Sequence, residues 1–483
     1  MSDWLSRAAL EHPSAVALDD GDRRLDYRSL AQHAAARAAS LQAMGLGFGD
    51  RVVLPVRTTI ETAIWIHALL WLGAPVIPVS PALHPNDLEA IWRDLRPRGL
   101  IADNADWPAA SDRSDRSPDD RIVVDARPQT NAETYSQQPP SDNPSRIATV
   151  LLTSGSSAAP KAVPLSVRHH EASARAVGQR LGLGAADRWL LALPLNHIGG
   201  LAILLRGVIF GSQVVFQRRF EARAFAEGIA RHRITLTSMV PSMLDDLMRT
   251  DVSRRTTPLR AVLVGGARTD PALLALARRR RWPVIPTWGM TEAASQLATP
   301  GSAEAAAMEH NADQAPLLPP LNGVEVRSAP NGRLLVRGPM VFDGYIGEDA
   351  PGPDADGWFT TGDRGRIGPD GSVQILGRAD DVIISGGLNV HLDSVAQQLA
   401  ECPLIAQAAT VAVDDDRWGQ RVAAAVVAAG PVERAEGLVE SLDCWARQQL
   451  APEERPVRWR IVDRIPRSTT GKPIRPAVAT LFE

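Results

Sequence analysis

Lysine is the scarcest charged residue in this chain. Of 52 lysines and arginines, only Lys161 and Lys472 are lysines, and the other 50 are arginines. Either residue can carry surface charge. A compact ammonium that must enter a tight site and touch one oxygen, however, cannot be replaced by a planar guanidinium. Both lysines are therefore candidate site residues, with a GC-rich codon bias as the bland alternative. Lys161 closes the loop Thr153, Ser154, Gly155, Ser156, Ser157, Ala158, Ala159, Pro160. Its hydroxyls, turn glycine and cation are the groups a polyphosphate needs. A Walker loop is excluded: counting from Gly155, the second required glycine falls on Pro160, which has no N–H, and the hydroxyl expected after the lysine is Ala162. Alone, such a loop is as often a plain turn.

The pattern around these groups predicts layered α/β architecture. A helix over 29–41, a strand over 51–56, a helix over 60–72 and a strand over 75–78 alternate, and the apolar strand 147–152 delivers the chain into the Thr153–Lys161 loop. Further strands are expected at 189–193, 213–216, 236–240, 261–265 and 284–285. Residues 104–146 are rich in Asp, Ser, Pro and Gln around one apolar run at 122–124, and read as a mobile surface connection. After Asn322, short strands with glycine turns suggest a β-subdomain. A smaller unit begins near Asp380, so a large N-terminal domain, 1–379, is expected before a small, mobile C-terminal α+β domain, 380–483.

Composition narrows the function classes. The chain has 483 residues, 45% hydrophobic and 22% charged, with a formal net charge of −3. That length suggests about two or three domains, and the charge gives no global field toward nucleic acid or anionic lipid. The apolar stretch 63–79 contains His67, Gly73, Pro75 and Pro78, and reads as one helix and one strand of core rather than a membrane span. Cys402 and Cys444 cannot build a disulfide framework or a four-ligand zinc site. The first residues show no basic, apolar export signal, so a cytoplasmic location is expected. The one basic cluster, Arg278 to Arg281, reads as a solvated helix end favoured by the helix dipole.

Five segments occur in a specific order: Thr153 to Lys161, Trp288-Gly289-Met290-Thr291-Glu292, Thr361-Gly362-Asp363, Gly377-Arg378-Ala379-Asp380-Asp381, and Pro466 to Lys472. Together they resemble the adenylate-forming superfamily of acyl-CoA synthetases, peptide-synthetase adenylation domains and luciferases. The resemblance implies two steps: a carboxylate attacks the α-phosphorus of ATP to give an acyl-adenylate and pyrophosphate, and a thiol then displaces AMP. It implies ATP, Mg2+ and CoA as the small molecules used. By the same resemblance, Thr153, Ser154, Gly155, Ser156, Ser157 and Lys161 wrap the β- and γ-phosphates. Trp288 stacks on adenine in a pocket lined by Gly265, Gly266, Ala267, Gly289 and Met290. Thr291 touches the α-phosphate, Glu292 binds magnesium, Asp363 takes the ribose diol and Arg378 supports the ribose or the phosphate nearby. Lys472 bridges the carboxylate and the α-phosphoryl oxygens, Asp380 is the hinge between half-reactions, and Gly386 and Gly387 line the CoA tunnel. That glycine pair also reads as an ordinary tight turn. Three positions depart from the family pattern, namely Ala158, Asn196 and Leu388, and none removes a group the chemistry needs.

Within the superfamily, residues 193–211, 240–244 and 290–296 look most like the ligases that join o-succinylbenzoate to CoA in menaquinone synthesis. An aromatic dicarboxylate keeps one carboxylate unreacted, and an apolar tunnel offers it no partner. Arg206, inside an otherwise apolar run, matches a basic position of those ligases; it reads otherwise as an arginine paired with a structural carboxylate or snorkelling outward. His197 and Ser295 are the other acid-pocket candidates, with a core histidine and a local cap as their plain alternatives. Another aromatic or medium-chain acid, a carrier protein loaded in trans, and a non-catalytic nucleotide-binding protein remain open, as does a homo-oligomer.

Overall fold

The computed structural model describes residues 4–83, 85–102, 122–125, 143–153, 161–250, 258–267, 269–308, 315–347, 351–379, 382–385, 388–415, 418–430, 435–468 and 473–483. The chain forms two compact units. The first comprises Met1–Gln314, Leu318–Val326 and Val336–Phe359; the second comprises Ala315–Leu317, Arg327–Leu335 and Thr360–Glu483.

Two mainly parallel sheets build the first unit. A six-stranded sheet runs Ile122–Asp125, Gly99–Ala102, Val52–Pro55, Val76–Val79, Ile147–Thr153, Lys161–Ser166, with only its last pair antiparallel. That pair places Thr153 opposite Lys161 at the end where the chain passes from one strand to the other. The phosphate-loop candidate is thus the connection of a β-hairpin. The apolar run at 122–124, expected inside a mobile connection, is an edge strand paired in register with Gly99–Ala102. A seven-stranded sheet runs Val284–Pro286, Ala261–Val264, Leu236–Met239, Arg188–Leu191, Gln213–Phe216, Val16–Asp19, Arg24–Asp26. Both sheets are covered by helices, so their strands are near-continuous apolar runs.

Local signals explain the helices that matter. Ile60–Leu72 starts at Thr59, whose side chain accepts from the Thr62 N–H, and ends at Gly73 in the left-handed conformation. It carries His67, fully buried and kept neutral by burial. Val167–Leu181 opens with a reciprocal cap: the Ser166 N–H donates to His169 Nδ1 at 3.1 Å and the His169 N–H donates to Ser166 Oγ at 3.4 Å. Ile198–Phe210 is buried along most of its length and packs on Val167–Leu181 and on the strand Ser295–Ala298. Pro271–Arg279 ends in the arginine run as expected, with Arg279 to Arg281 exposed. Arg278 turns inward instead and donates to the carbonyls of Val284 and Met308.

In the second unit, residues 363–367 of the strand Phe359–Ile367 pair antiparallel with Val373–Arg378. The C-terminal sheet is built on Gly419–Ala428, flanked by Val382–Ser385, Ile405–Asp415 and Arg458–Ile461. Val422, Ala424 and Val426 face Val395, Leu399 and Leu442, while Ala423 and Ala425 face Val478 and Phe482. A period of 2 with both faces covered explains this strand's unbroken apolar sequence. Among the described residues, no helix is long and apolar enough to cross a membrane. Cys402 is buried, Cys444 is exposed, and neither forms a disulfide.

Candidate active site

In the first unit, a short hairpin carries the Trp288 to Glu292 segment. Strands Trp288–Met290 and Ser295–Ala298 pair antiparallel across the 3-10 turn Thr291–Ala293. Gly289 is obligatory here, because a Cβ would lie 1.9 Å from the carbonyl oxygen of Ser295. The turn is strained: Ala294 (φ 49°) and Ser295 (φ 132°) both hold positive φ without being glycine, at a cost of about 1–3 kcal/mol each. One brace is the Ser173 hydroxyl, which donates to the Ala294 carbonyl at 2.9 Å. Ser295 therefore occupies a forced backbone position beside the candidate metal carboxylate. Trp288 is 6% exposed, leaving little indole surface open to a base. Gly265 and Gly266 follow the strand Ala261–Val264, with the Gly265 N–H donating to the Met239 carbonyl, and Ala267 is exposed beyond them.

Glu292 is half-buried, and its Oε1 accepts a hydrogen bond of 2.6 Å from the Tyr345 hydroxyl. Lys161 Nζ lies 5.2 Å from the centroid of the same tyrosine ring, within cation–π range. Thr153, Lys161 and Glu292, three residues singled out from sequence, thus gather around Tyr345 and the hairpin Ile147–Thr153/Lys161–Ser166. Tyr345 gave no sequence signal of its own; it lies in an irregular segment three residues after Phe342, 53 positions from its partner.

Arg206 is 3% exposed in the helix Ile198–Phe210. Neither its Nε nor its Nη2 has a hydrogen-bond partner, and no described carboxylate forms an ion pair with it. It does not snorkel, and it pairs with no carboxylate among the described residues. Its guanidinium sits 5.7 Å from the Trp189 ring centroid, and burial draws its pKa down to about 10, so it stays charged at neutral pH. His170, fully buried on the adjacent helix, is kept neutral first by burial and then by the charges of His169 and Arg206. Its Nε2 lies 2.9 Å from Thr149 Oγ1, on the strand that leads to Thr153. His197 precedes the first turn of the Arg206 helix, with its Nε2 3.4 Å from Asn196 Nδ2. An orphaned buried guanidinium is costly, so this one is suited to an anion supplied from outside the protein.

In the second unit, Asp363 and Arg378 stand opposite each other in the antiparallel pair, with Arg378 Nη1 donating to Asp363 Oδ1 at 3.4 Å. Gly362 makes room for this, since a Cβ there would meet the guanidinium at 2.4 Å. The Thr361 hydroxyl accepts from the Asp363 N–H at 3.0 Å and fixes the bend. Leu388 is 52% exposed. Ser154, Gly155, Ser156, Ser157, Ala158, Asp380, Gly386, Gly387 and Lys472 lie outside the described residues.

A family model described as AMP-binding enzyme matches residues 5–346, and one described as AMP-binding enzyme C-terminal domain matches residues 394–472. The 2-succinylbenzoate–CoA ligase of Bacillus licheniformis is 32% identical over 483 residues, covering 98% of this chain and 98% of its own. Among solved structures, the o-succinylbenzoate CoA synthetase of Bacillus subtilis in complex with the acyl-adenylate intermediate OSB-AMP is similar, with a TM-score of 0.86 and 27% identity over 99% of this chain and 98% of its own. The same enzyme in complex with ATP and magnesium ion gives a TM-score of 0.85 at 26% identity, covering 99% of both chains.

Proposed function

The chain belongs to the AMP-binding enzyme family, and we propose that it is an ATP- and CoA-dependent acid–thiol ligase that turns o-succinylbenzoate into its CoA thioester through an acyl-adenylate. Relatives of that name at full length support the reading. The observation in this chain that carries it is Arg206, a charged guanidinium buried without an anionic partner among the described residues, in the helix that follows His197.

The chemistry follows from what the groups can do. A carboxylate is a poor electrophile, and joining it to AMP turns its oxygen into part of a good leaving group. The protein's part is to hold two anions together in line and to neutralise charge as it develops. Thr153, Ser154, Gly155, Ser156, Ser157 and Lys161 hold the β- and γ-phosphates, and Thr291 donates toward the α-phosphate. Gly265 to Ala267, Gly289 and Met290 take the base, and Trp288, 6% exposed, meets it with no more than an edge. Asp363, an acceptor when ionised, takes the ribose hydroxyls, and Arg378 keeps that carboxylate turned. Glu292 fits a magnesium ion: Oε1 is held by Tyr345, and Oε2 has no hydrogen bond among the described residues. A bound magnesium supplies charge neutralisation to the phosphates. Lys472 contributes its ammonium between the two reacting anions. Gly386 and Gly387 give pantetheine a path along bare backbone. Arg206 holds the non-reacting carboxylate, with His197 and Ser295 beside the acid.

ATP–pyrophosphate exchange over a panel of acids tests the function. Exchange is expected with o-succinylbenzoate, and thioester only when CoA is added. Exchange with other acids but not this one would remove the substrate assignment; exchange without any CoA thioester would point to a protein thiol as acceptor.

A ligase of this kind uses its C-terminal part in two orientations, and the hinge falls at Asp380. Fixing φ there with Asp380→Pro is expected to slow thioester formation from a preformed adenylate at least tenfold more than it slows adenylation, on the order of 1.4 kcal/mol of differential barrier. Stopped-flow measurement of each half-reaction decides this, and equal rates in the second step would take the hinge away from Asp380.

A further inference from the structure

One short segment, Phe342 to Ile346, is tied to both chemical landmarks of the first unit. At one end, the Phe342 N–H donates to the Glu292 carbonyl at 2.8 Å; at the other, the Ile346 N–H donates to the Ala162 carbonyl, next to Lys161, at 3.0 Å. Between them, the Tyr345 hydroxyl donates to Glu292 Oε1 at 2.6 Å while the ring presents its face to Lys161 Nζ. Phe342, 1% exposed, packs edge-on against Tyr345 with centroids 4.8 Å apart, and against Phe359 at 5.0 Å. Asp343 pairs with Arg168 on the helix Val167–Leu181. The Tyr345 hydroxyl and one ring face are thus directed at two groups the reaction needs, and the segment that carries them is anchored at Phe342 and at Ile346.

We infer that Tyr345 is a positioning residue for the metal–phosphate end of the site: its hydroxyl turns the Glu292 carboxylate so that Oε2 faces the ion, and its ring seats the Lys161 ammonium. A carboxylate ligand free to rotate must be ordered when the ion arrives. One already held by a phenol has lost that freedom beforehand, which is why outer partners of metal ligands weigh heavily on affinity. The hydroxyl and the ring do different work. Removing the hydroxyl affects only the ion, whereas removing the ring also unseats the lysine.

The inference rests on Glu292 being the magnesium ligand, and it is tested on the full chain with ATP as the only ligand, without acid or CoA. Isothermal titration of ATP is run with excess magnesium and again with EDTA, and the ratio of the two affinities is the readout. Tyr345→Phe keeps the ring and the aromatic cluster. It is expected to lose about tenfold of the magnesium-dependent gain while its affinity in EDTA stays at the wild-type value. Tyr345→Leu is expected to lose the same gain and also to bind ATP more weakly in EDTA. Glu292→Gln is the reference for loss of the metal ligand. If Glu292→Gln loses the gain and Tyr345→Phe keeps it, the positioning role is wrong and the metal reading stands. If Glu292→Gln keeps the gain, the metal reading falls and takes the inference with it. Equal weakening of Tyr345→Phe with and without magnesium also overturns the inference, leaving a packing residue. Circular dichroism checks each fold; should the phenylalanine variant not fold, Tyr345→Trp, which also removes the hydroxyl and keeps an aromatic face, gives the same decision.

Discussion

Lys472→Ala is expected to lower acyl-adenylate formation by about a thousandfold or more, the scale of removing a preorganised charge from a developing oxyanion. The same variant should still turn a supplied acyl-adenylate and CoA into thioester at close to the wild-type rate. The asymmetry follows from the chemistry of the two steps. Adenylation brings a carboxylate against a polyphosphate, so a cation between them lowers a barrier made largely of like-charge repulsion. Thiolysis starts from a mixed anhydride whose carboxylate charge is already gone. In a chain that has replaced lysine by arginine at almost every other basic position, retention of an ammonium in the Pro466 to Lys472 segment is best explained by a compact charge that must enter between two reactants. Pyrophosphate exchange measures the first step, and single-turnover thioester formation from added adenylate measures the second. Comparable losses in both would place Lys472 in general binding or folding, and the separation of roles between half-reactions would be abandoned.

Elements whose boundaries have local causes were legible in the sequence. The helix Ile60–Leu72 has a threonine cap in front and a left-handed glycine behind, and both are chemical signals that need no tertiary context. The strand Gln213–Phe216 is likewise where its apolar run ends. By contrast, Ile122–Asp125 looked like a short apolar accident in a polar connection. Four residues are too few to show a period, and the partner that makes them a strand, Gly99–Ala102, lies on the far side of the polar stretch that precedes them.

The site divides in the same way. Residues that announce chemistry by type, such as Lys161, Glu292, Asp363 and Arg378, could be nominated from motifs. Their mutual arrangement could not. Asp363 and Arg378 sit in separate motifs, and only the register of the antiparallel pair sets them face to face. Tyr345 and His170 escaped notice because tyrosine and histidine have many structural uses, and what distinguishes these two is a through-space partner: Glu292 for one, Thr149 for the other. The strain at Ala294 and Ser295 was equally invisible, since nothing in Ala-Ser announces two positive φ angles; the surrounding brace from Ser173 imposes them.

Arg206 is the position where sequence posed a question and the fold supplied the observation, and the second large effect is expected there. The apolar run 198–210 made a lone arginine anomalous, and either a structural carboxylate or an outward-reaching side chain would have resolved it. Neither is present among the described residues: Arg206 is 3% exposed, with Nε and Nη2 unpartnered. If the non-reacting carboxylate of the acid is the missing partner, Arg206→Ala leaves that anion in a poorly solvated pocket, a loss on the order of 2 to 5 kcal/mol. At about 1.4 kcal/mol per tenfold, kcat/KM toward o-succinylbenzoate should fall by roughly 30-fold to several thousand-fold. The folded protein loses no hydrogen bond from those two nitrogens, so its thermal stability should hold or rise, as it does when an unpaired buried charge is removed. Activity toward a monocarboxylate such as 4-phenylbutyrate, which brings no second anion, should change far less. That comparison isolates the pairing, because damage to the fold or to the nucleotide site depresses both acids alike. A parallel fall for the two acids, with circular dichroism and ATP binding unchanged, would falsify the pairing and return Arg206 to the role of a charge buried for reasons internal to the protein.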